Sequence, residues 1–513
     1  MTSEQASSQG SMSDGRRGSH PASVAVIGAG VSGLAAAWFV KQALPGAAVT
    51  VFEGSPRLGG KLAVGEVGGV RVDLGAESIL NRRPEAVDLA RAVGLADDIV
   101  HPATASASVW SRGELVPMPK GHLMGVPGDP AVLAGLLSAA GLKRAEAGPA
   151  LPSRQVLRTQ AETDDIAVGA YVAETFGREV VDRLVEPLLG GVYAGHADEI
   201  SLRAAVPALV PAYESGEPLD EAVSKILAAQ AGAAHPKPVF AGVRGGVGRF
   251  PAALAESCEG AGVTILRETM VRELARTAEG WRLVSGPVPS PTAHEVDAVI
   301  VAVPGAPAAR LLKDAAPVAA AELAGIEYAS VALATFVFDD AALPAGSGFL
   351  VPPADGRFIK ASTFSSVKWS WLAESGKTVV RASVGRHRET ADLQREDADL
   401  AASALADLRI ALGTPDALGE PVDWHVQRWG GGLPQYAVGH VARTERIRAA
   451  VAAQPGLAVC GAAYDGVGIA ACVASARRAA QEIIGPGPSH VPSKPATAQK
   501  TGEPTAARTG DHR

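Results

Sequence analysis

The sequence predicts an α/β fold, with a strand–helix unit at its start, a mainly helical block and an α+β lobe in the middle, and a return to the first unit at its end. Three observations predict it. Ser23 to Glu53 reads as a strand, a glycine turn, a helix and a second strand closed by an acid. Near the other end, GLAVCGAAYDGVGIAACVASARRAAQEI repeats the order strand, glycine turn, helix, and VDAVIVAVP is the continuous apolar run of a strand buried on both faces. Between them the pattern is helical from about 160 to 232 and mixes helices with strands such as VALATFVFD and TVVRASVG from Ala308 to Pro421.

Composition narrows the class. The chain has 513 residues, enough for two to four domains at about 150 residues each. It is 47% apolar, 20% charged and only 4% aromatic, so Ala, Val and Leu must fill the core. A net charge of −7 gives no general attraction to nucleic acid or anionic lipid, and an anionic substrate must meet a local cluster of Arg or Lys. Cys258, Cys460 and Cys472 are widely spaced and form no C-x-x-C, which argues against a disulfide framework or structural metal and fits a reducing compartment. Arg16 and Arg17 before the apolar run Val24 to Val40 imitate an export signal, but that run carries the glycine turn the fold needs. No other stretch reaches the ~18 uninterrupted apolar residues of a spanning helix, and a cytoplasmic protein is expected.

The elements follow in order. Met1 to His20 lacks apolar content and reads as a disordered tail. In GAGVSG, Gly28, Gly30 and Gly33 fall on G-x-G-x-x-G between a strand and a helix. Gly28 permits the tight turn, Gly30 the approach of a pyrophosphate, and Gly33 the close packing of helix on sheet. The helix start offers unpaired N–H groups to phosphates. Glu53, twenty residues after Gly33, can accept hydrogen bonds from an adenosine ribose and would repel a 2′-phosphate, which predicts a Rossmann-like dinucleotide site that rejects NADP.

Gly59, Gly60 and Lys61 suit either a hairpin or a bare-backbone contact with a cofactor, and Gly75 to Ser78 suit a second wall of the same site. Arg82 and Arg83 could hold a carboxylate bidentately or simply form the solvated entrance to the helix PEAVDLARAVGLADDI. SASVWSRGELVPMP reads as a hairpin about Arg112-Gly113, followed by one apolar helix over DPAVLAGLLSAAGLKR. Ala145 to Thr163 reads as a loop or insertion. The next helix takes Asp164 or Asp165 as N-cap and ends at Pro187 and the glycines 190–191; another begins at Ser201. GGVGRFPAALAE is a glycine turn feeding a helix to Cys258, and GVTILRETMVRELARTAEGWRLVSG gives three strands. Val271 suits an adenine contact or plain core. Trp369, Trp371, Trp424 and Trp429 suit either a flat apolar ligand or core anchoring. DGVGI again places N–H groups at a helix start, and the residues after Gly485 form a second disordered tail.

Two strand–glycine turn–helix units at opposite ends of the chain suit a long cofactor gripped at both ends, and FAD fits this better than NAD. GAGVSG, the strand end at Glu53, PRLGGK, LGAES, EPLLGGVYAGHADEISLRAA, GGVGRFPAALAE, VDAVIVAVP and YDGVGIAACVASARRA together resemble the protoporphyrinogen/coproporphyrinogen oxidase family within the amine oxidase-like flavoproteins. The resemblance covers about residues 22–485, and the EPLLGGVYAGHADEISLRAA block sets it apart from amine oxidases and carotenoid desaturases.

Carried over by position, the resemblance implies FAD contacts at Gly28, Ala29, Gly30, Val31, Ser32, Gly33, Glu53, Gly54, Lys61, Gly75, Ala76, Glu77, Ser78, Val271, Trp429, Val467, Gly468 and Ile469. The resemblance leaves Arg82, Arg83 and Arg203 as substrate anchors placed by their motifs, each with a solvated structural role as the alternative. It implies an FAD-binding domain over 22–85, 236–307 and 425–485, a substrate-binding domain over 86–106, 208–235 and 308–424, a mainly helical domain over 107–207, and tails at 1–21 and 486–513. The implied reaction removes six electrons from a porphyrinogen in two-electron steps, with O₂ reoxidising the flavin and H₂O₂ released. No residue triad or metal is expected, since the flavin accepts the hydride.

The soluble bacterial branch that the chain resembles implies coproporphyrinogen III as substrate, with protoporphyrinogen IX as the alternative. The first carries four propionates and the second two, so the first needs more cationic or open surroundings. A transient contact with ferrochelatase is a further implication of the family. Membrane contact through the helical block is not required, because nothing basic and amphipathic demands it. An amine oxidase or polyene desaturase on the same scaffold, and a dinucleotide-binding protein without turnover, are the readings from other classes.

Overall fold

The computed structural model describes residues 20–148, 164–231, 238–413 and 418–485. Its first layer is a five-stranded parallel sheet. β1 (Ser23–Ile27) lies at the centre, flanked on one side by β2 (Ala48–Phe52) and then Thr264–Leu266, and on the other by Ala298–Val301 and then Leu457–Val459. The chain therefore switches sides at β1, and the carboxyl end of β1 is where an open α/β sheet leaves a crevice. Val26, Val51 and Ile300 are fully buried there, each worth about 1.5–3 kcal/mol of burial. α1 (Val31–Ala43) covers the sheet with Leu34, Ala35, Ala36 and Ala37, whose small side chains let the last helix, Ile469–Ile484, pack against it. The two ends of the described chain thus meet in one layer.

The second layer is a seven-stranded mixed sheet in the order Asp423–Pro434, Tyr328–Phe338, Thr378–Val384, Ala361–Phe364, Gly348–Leu350, Ser108–Ser111, Glu114–Pro117. Alternation along these strands decides what each face meets. Phe336, Val380, Ala382 and Phe349 pack under the helix Asp397–Ala411 through Leu400, Ala404 and Leu408. On the opposite face, Val337 and Val379 join Val67, Val70 and Val72, from the hairpin of β3 (Val64–Val67) and β4 (Val70–Asp73), while Val109 enters the helical core with Val126, Leu184, Val185 and Leu189. Between those contacts lie Leu333, Ser383, Ala361 and Leu350, placed in one row by strand register and each only partly buried. These partly open residues on central strands stand outside the packed clusters to either side of them.

Several local expectations change. The hairpin about Arg112-Gly113 forms, and its strands extend the seven-stranded sheet while Val109 packs into the helical core. DPAVLAGLLSAAGLKR is two pieces: a single turn at Pro130–Leu133, capped by Asp129, and a helix Ala139–Glu146 started by Ser138, whose Oγ accepts from the Gly141 N–H. Pro187 does not end a helix; the widened helical turn Val181–Val185 runs directly into Glu186–Tyr193 and accommodates the missing Pro187 N–H. Asp165 does not cap one either. Its carboxylate accepts from Ile166 N, Ser201 Oγ and Gly439 N, and the helix Val168–Phe176 starts after Ala167. Ser201 does cap Leu202–Ala205, accepting from Ala204 N at 3.0 Å. Most of the segment expected as a loop at 145–163, and nearly all of both tails, lie outside the described residues. Among the described residues no helix is long and apolar enough to cross a membrane.

Candidate cofactor and substrate site

The three glycines after β1 do separate jobs. Gly28 has φ +103°, and a Cβ there would lie 2.8 Å from the Ala302 carbonyl oxygen. At Gly33 a Cβ would lie 1.8 Å from the Gly28 carbonyl oxygen, so only glycine lets α1 sit this close to the turn. Gly30 is different: its Cβ would point into open space, with Gly60 Cα the nearest atom at 4.0 Å. Gly60 in turn stands over Gly30, because Gly59 N donates to Ala29 O at 2.9 Å and pins the PRLGGK loop against the first turn. Two bare backbones therefore face each other beside the α1 start, which has no side-chain cap.

Glu53 closes this cradle. Its Oε2 accepts from Ala29 N at 2.8 Å and its Oε1 from Ser55 N at 2.9 Å, which fixes the carboxylate and leaves each oxygen a further lone pair. Glu53 N donates to Leu266 O and Thr269 N to Glu53 O, so Met270 and Val271 are led back over the strand end. A Cβ on Gly54 would meet Met270 Cε at 2.9 Å. Val271 is buried in the cluster that contains Phe52 and Trp281.

The second wall comes from far along the chain. A Cβ on Gly75 would lie 2.1 Å from Lys61 O and 3.3 Å from the Trp429 ring, and Trp429 Nε1 donates to Leu74 O at 2.9 Å. Lys61 is half-buried, makes no salt bridge among the described residues, and lies over the Tyr328 ring at 5.8 Å; burial lowers its pKa. Gly468 caps the helix Ile469–Ile484 with no side-chain bond and with no atom within 4 Å of where its Cβ would be. Val467 beside it packs on the helical core. Uncapped helix starts, open glycine faces and an unpaired ammonium suit a phosphorylated cofactor of dinucleotide length.

A family model described as flavin containing amine oxidoreductase matches residues 31–484. The chain belongs to that family. Its cofactor is FAD, and the cradle fits it. The chain is 36% identical over 469 residues to a Mycobacterium tuberculosis protein named coproporphyrinogen III oxidase, a match that spans 90% of this chain and 98% of the relative. A Staphylococcus aureus protein of the same name is 32% identical over 483 residues, covering 90% and 99%. Among solved structures, a protein from Exiguobacterium sp. 255-15, named as a candidate protoporphyrinogen oxidase, superposes with a TM-score of 0.76 at 31% identity, covering 90% of this chain and 98% of that one.

In this flavin amine oxidoreductase, Glu77 and Ser78 do more than line a wall. Glu77 Oε1 accepts from Lys368 Nζ at 2.7 Å and from Trp369 Nε1 at 3.3 Å; its Oε2 accepts from Arg381 Nη1 at 2.8 Å and from Ser365 Oγ at 3.1 Å. Ser78 Oγ is a second partner of Lys368, and Arg381 Nη2 donates to Gly75 O at 2.6 Å. Burial alone would raise the Glu77 pKa, but Lys368 and Arg381 outweigh it and hold it down at about 2. Nearby Asp73 bonds no cation: burial pushes it up to about 6 against the Gly248 and Val247 N–H groups it accepts from and the more distant Arg381 charge.

Each of the three candidate anchors has a local partner. Arg82 donates to Gln230, Arg83 pairs with Glu85 at 2.8 Å, and Arg203 bonds Asp164 O and Glu214 at 2.7 Å each. The four tryptophans do not gather about a flat ligand. Trp369 packs on Gly242, Trp429 reaches Leu74, and Trp424 is 39% exposed. Sequence reasoning missed Arg381, Lys368, Lys360 and Arg386; the signal available was a basic residue inside an apolar strand run, as in TVVRASV and FIKASTF.

Proposed function

We propose that this flavoprotein oxidises coproporphyrinogen III to coproporphyrin III, consuming three O₂ and releasing three H₂O₂ as six electrons leave the macrocycle. The carrying observation is the match across nearly the whole length of relatives that bear the coproporphyrinogen III oxidase name, at 32–36% identity. FAD supplies the two-electron acceptor when bound. Its backbone contacts are assigned to Gly28–Gly33, Gly54, Gly75, Ala76 and Val467–Ile469, its side-chain contacts to Glu53, Lys61, Val271 and Trp429. Glu77 and Ser78 keep the second wall in place through Lys368 and Arg381. The substrate is placed over Leu333, Ser383, Ala361 and Leu350, facing the helix Glu186–Tyr193, where a Cβ on Gly191 would meet Leu350 Cδ2 at 3.4 Å. A floor of small and apolar groups excludes water and leaves orientation to charges at its margin. The proposal includes a cytoplasmic setting and transfer of the product to a ferrochelatase.

Purified protein, assayed in air with coproporphyrinogen III and protoporphyrinogen IX side by side, tests this. Faster appearance of coproporphyrin fluorescence is expected; preference for the other substrate would favour the second reading, protoporphyrinogen oxidase, which the name of the Exiguobacterium structure supports. Gly30→Leu is expected to fold yet purify without flavin, because its side chain enters open space. A yellow, fully loaded Gly30→Leu protein would sink the cradle assignment.

A further inference from the structure

Two buried cations stand at one end of the row Leu333, Ser383, Ala361 and Leu350, and the acid that reaches them, Glu389, is half-exposed and at the edge of contact with Arg386 alone. Lys360 immediately precedes the strand Ala361–Phe364; its N–H donates to Ser383 O at 2.8 Å, and its carbonyl accepts from Val351 N at 2.9 Å. Arg386 follows Ser383 by three residues, just beyond the strand Thr378–Val384. Lys360 is 6% exposed and Arg386 7%. Among the described residues the Lys360 ammonium has no hydrogen-bond or salt-bridge partner. Arg386 reaches Val351 O at 3.3 Å, and its nearest carboxylate, the half-exposed Glu389, stands at 3.6 Å, beyond hydrogen-bond distance. Glu186, the other acid that Arg386 feels, is already committed to His196 and Ala197 N.

Burial and the neighbouring guanidinium both disfavour a charged Lys360, bringing its pKa down to about 7, with Glu389 acting weakly the other way. Unpaired buried charge of one sign is costly unless an anion arrives to neutralise it. A carboxylate offers two oxygens, one for an ammonium and the other for a guanidinium edge. The Lys360 backbone is tied to this row by its bond to Ser383, and Arg386 follows three residues after Ser383.

We propose that Lys360 and Arg386 form a carboxylate-binding centre that receives one propionate of the tetrapyrrole and so sets its orientation on the floor. This rests on the porphyrinogen reading above. It also predicts that the protein distinguishes tetrapyrroles by their acid side chains.

The test uses flavin-loaded protein and fluorescence titration with coproporphyrin III and with its tetramethyl ester, which lacks the charges. The wild type should bind the acid at least tenfold more tightly than the ester. Lys360→Met should lose most of that discrimination, Lys360→Arg should keep it, and flavin content should stay unchanged throughout. In turnover, Lys360→Met should raise KM for coproporphyrinogen III about tenfold with kcat nearly kept. If Lys360→Met and Arg386→Met both discriminate acid from ester as the wild type does, the centre is wrong even though the oxidase reading stands. If the wild type oxidises no porphyrinogen but still prefers the acid over the ester through Lys360, the oxidase reading fails and the carboxylate centre survives.

Discussion

Two buried charge centres lie on the same sheet, five residues apart along the chain at Arg381 and Arg386, and they differ in where their counter-charge comes from. At Arg381 the chain supplies it: Glu77 crosses from the cofactor wall to meet Arg381 and Lys368, with side chains 8–15% exposed and distances of 2.7–2.8 Å. At Arg386 it does so only in part, through the half-exposed Glu389 at 3.6 Å, and Lys360 stands beside it with no acid bonded to it among the described residues. Removing the counter-charge from a completed buried pair leaves uncompensated charge, whereas removing a cation from an incomplete one relieves it. The first centre holds two parts of the molecule together. The second is built for something that arrives from outside.

The contrast predicts effects of opposite sign. Glu77→Gln should be the most damaging change, costing about 3–5 kcal/mol because Lys368 and Arg381 lose the one carboxylate bonded to them among the described residues; denaturant unfolding of the flavin-loaded protein measures it. A loss below about 1 kcal/mol would mean that water or a neighbour replaces the acid, and the contrast would fail. Lys360→Met should instead stabilise the porphyrin-free protein by about 2 kcal/mol at neutral pH, since a methionine fills the same space without a charge to desolvate.

Acidity and alkalinity should separate the two centres further. Glu77 has a folded pKa of about 2, below its ordinary 4.5, so its stabilisation is complete above pH 4.5 and is lost as pH falls towards 2. Lys360 runs the other way. Its folded pKa of about 7 lies below the ordinary 10.5, so the unfolded chain binds the extra proton between those values, and stability rises as pH climbs from 7 to 10.5. Unfolding free energies across both ranges should show Glu77→Gln flattening the acid limb alone and Lys360→Met the alkaline limb alone. Smallest of all, Arg203→Ala should change stability by less than about 1 kcal/mol, because its ion pair with Glu214 is partly solvated. A large rise in KM for that variant would return Arg203 to the substrate site and weaken the assignment of Lys360.

The cradle was legible in the sequence because its requirements are local. Gly28, Gly30, Gly33 and Glu53 stand within one strand–helix–strand unit, and each residue type is forced by a turn, an approach or a strand end. The broken helices were less legible. The pattern from Asp129 to Arg144 is apolar enough for one helix, but Asp129 and Ser138 each cap their own short turn, and the local side chain-to-backbone bond wins over periodicity. The tryptophans stayed ambiguous between ligand and core because spacing along a chain does not report direction across a sheet: Trp429 turns to Leu74 while Trp424 remains exposed.

The sequence by itself determined the parallel sheet, the dinucleotide turn and the family, since glycine geometry and apolar runs act over a few residues at a time. Only the tertiary structure decided which charges are matched. Glu77 meets Arg381 across 304 positions and Lys368 across 291, while Lys360 forms no hydrogen bond or salt bridge with an acid among the described residues. Electrostatic energy depends on distance and burial in space, and neither is written in the order of residues.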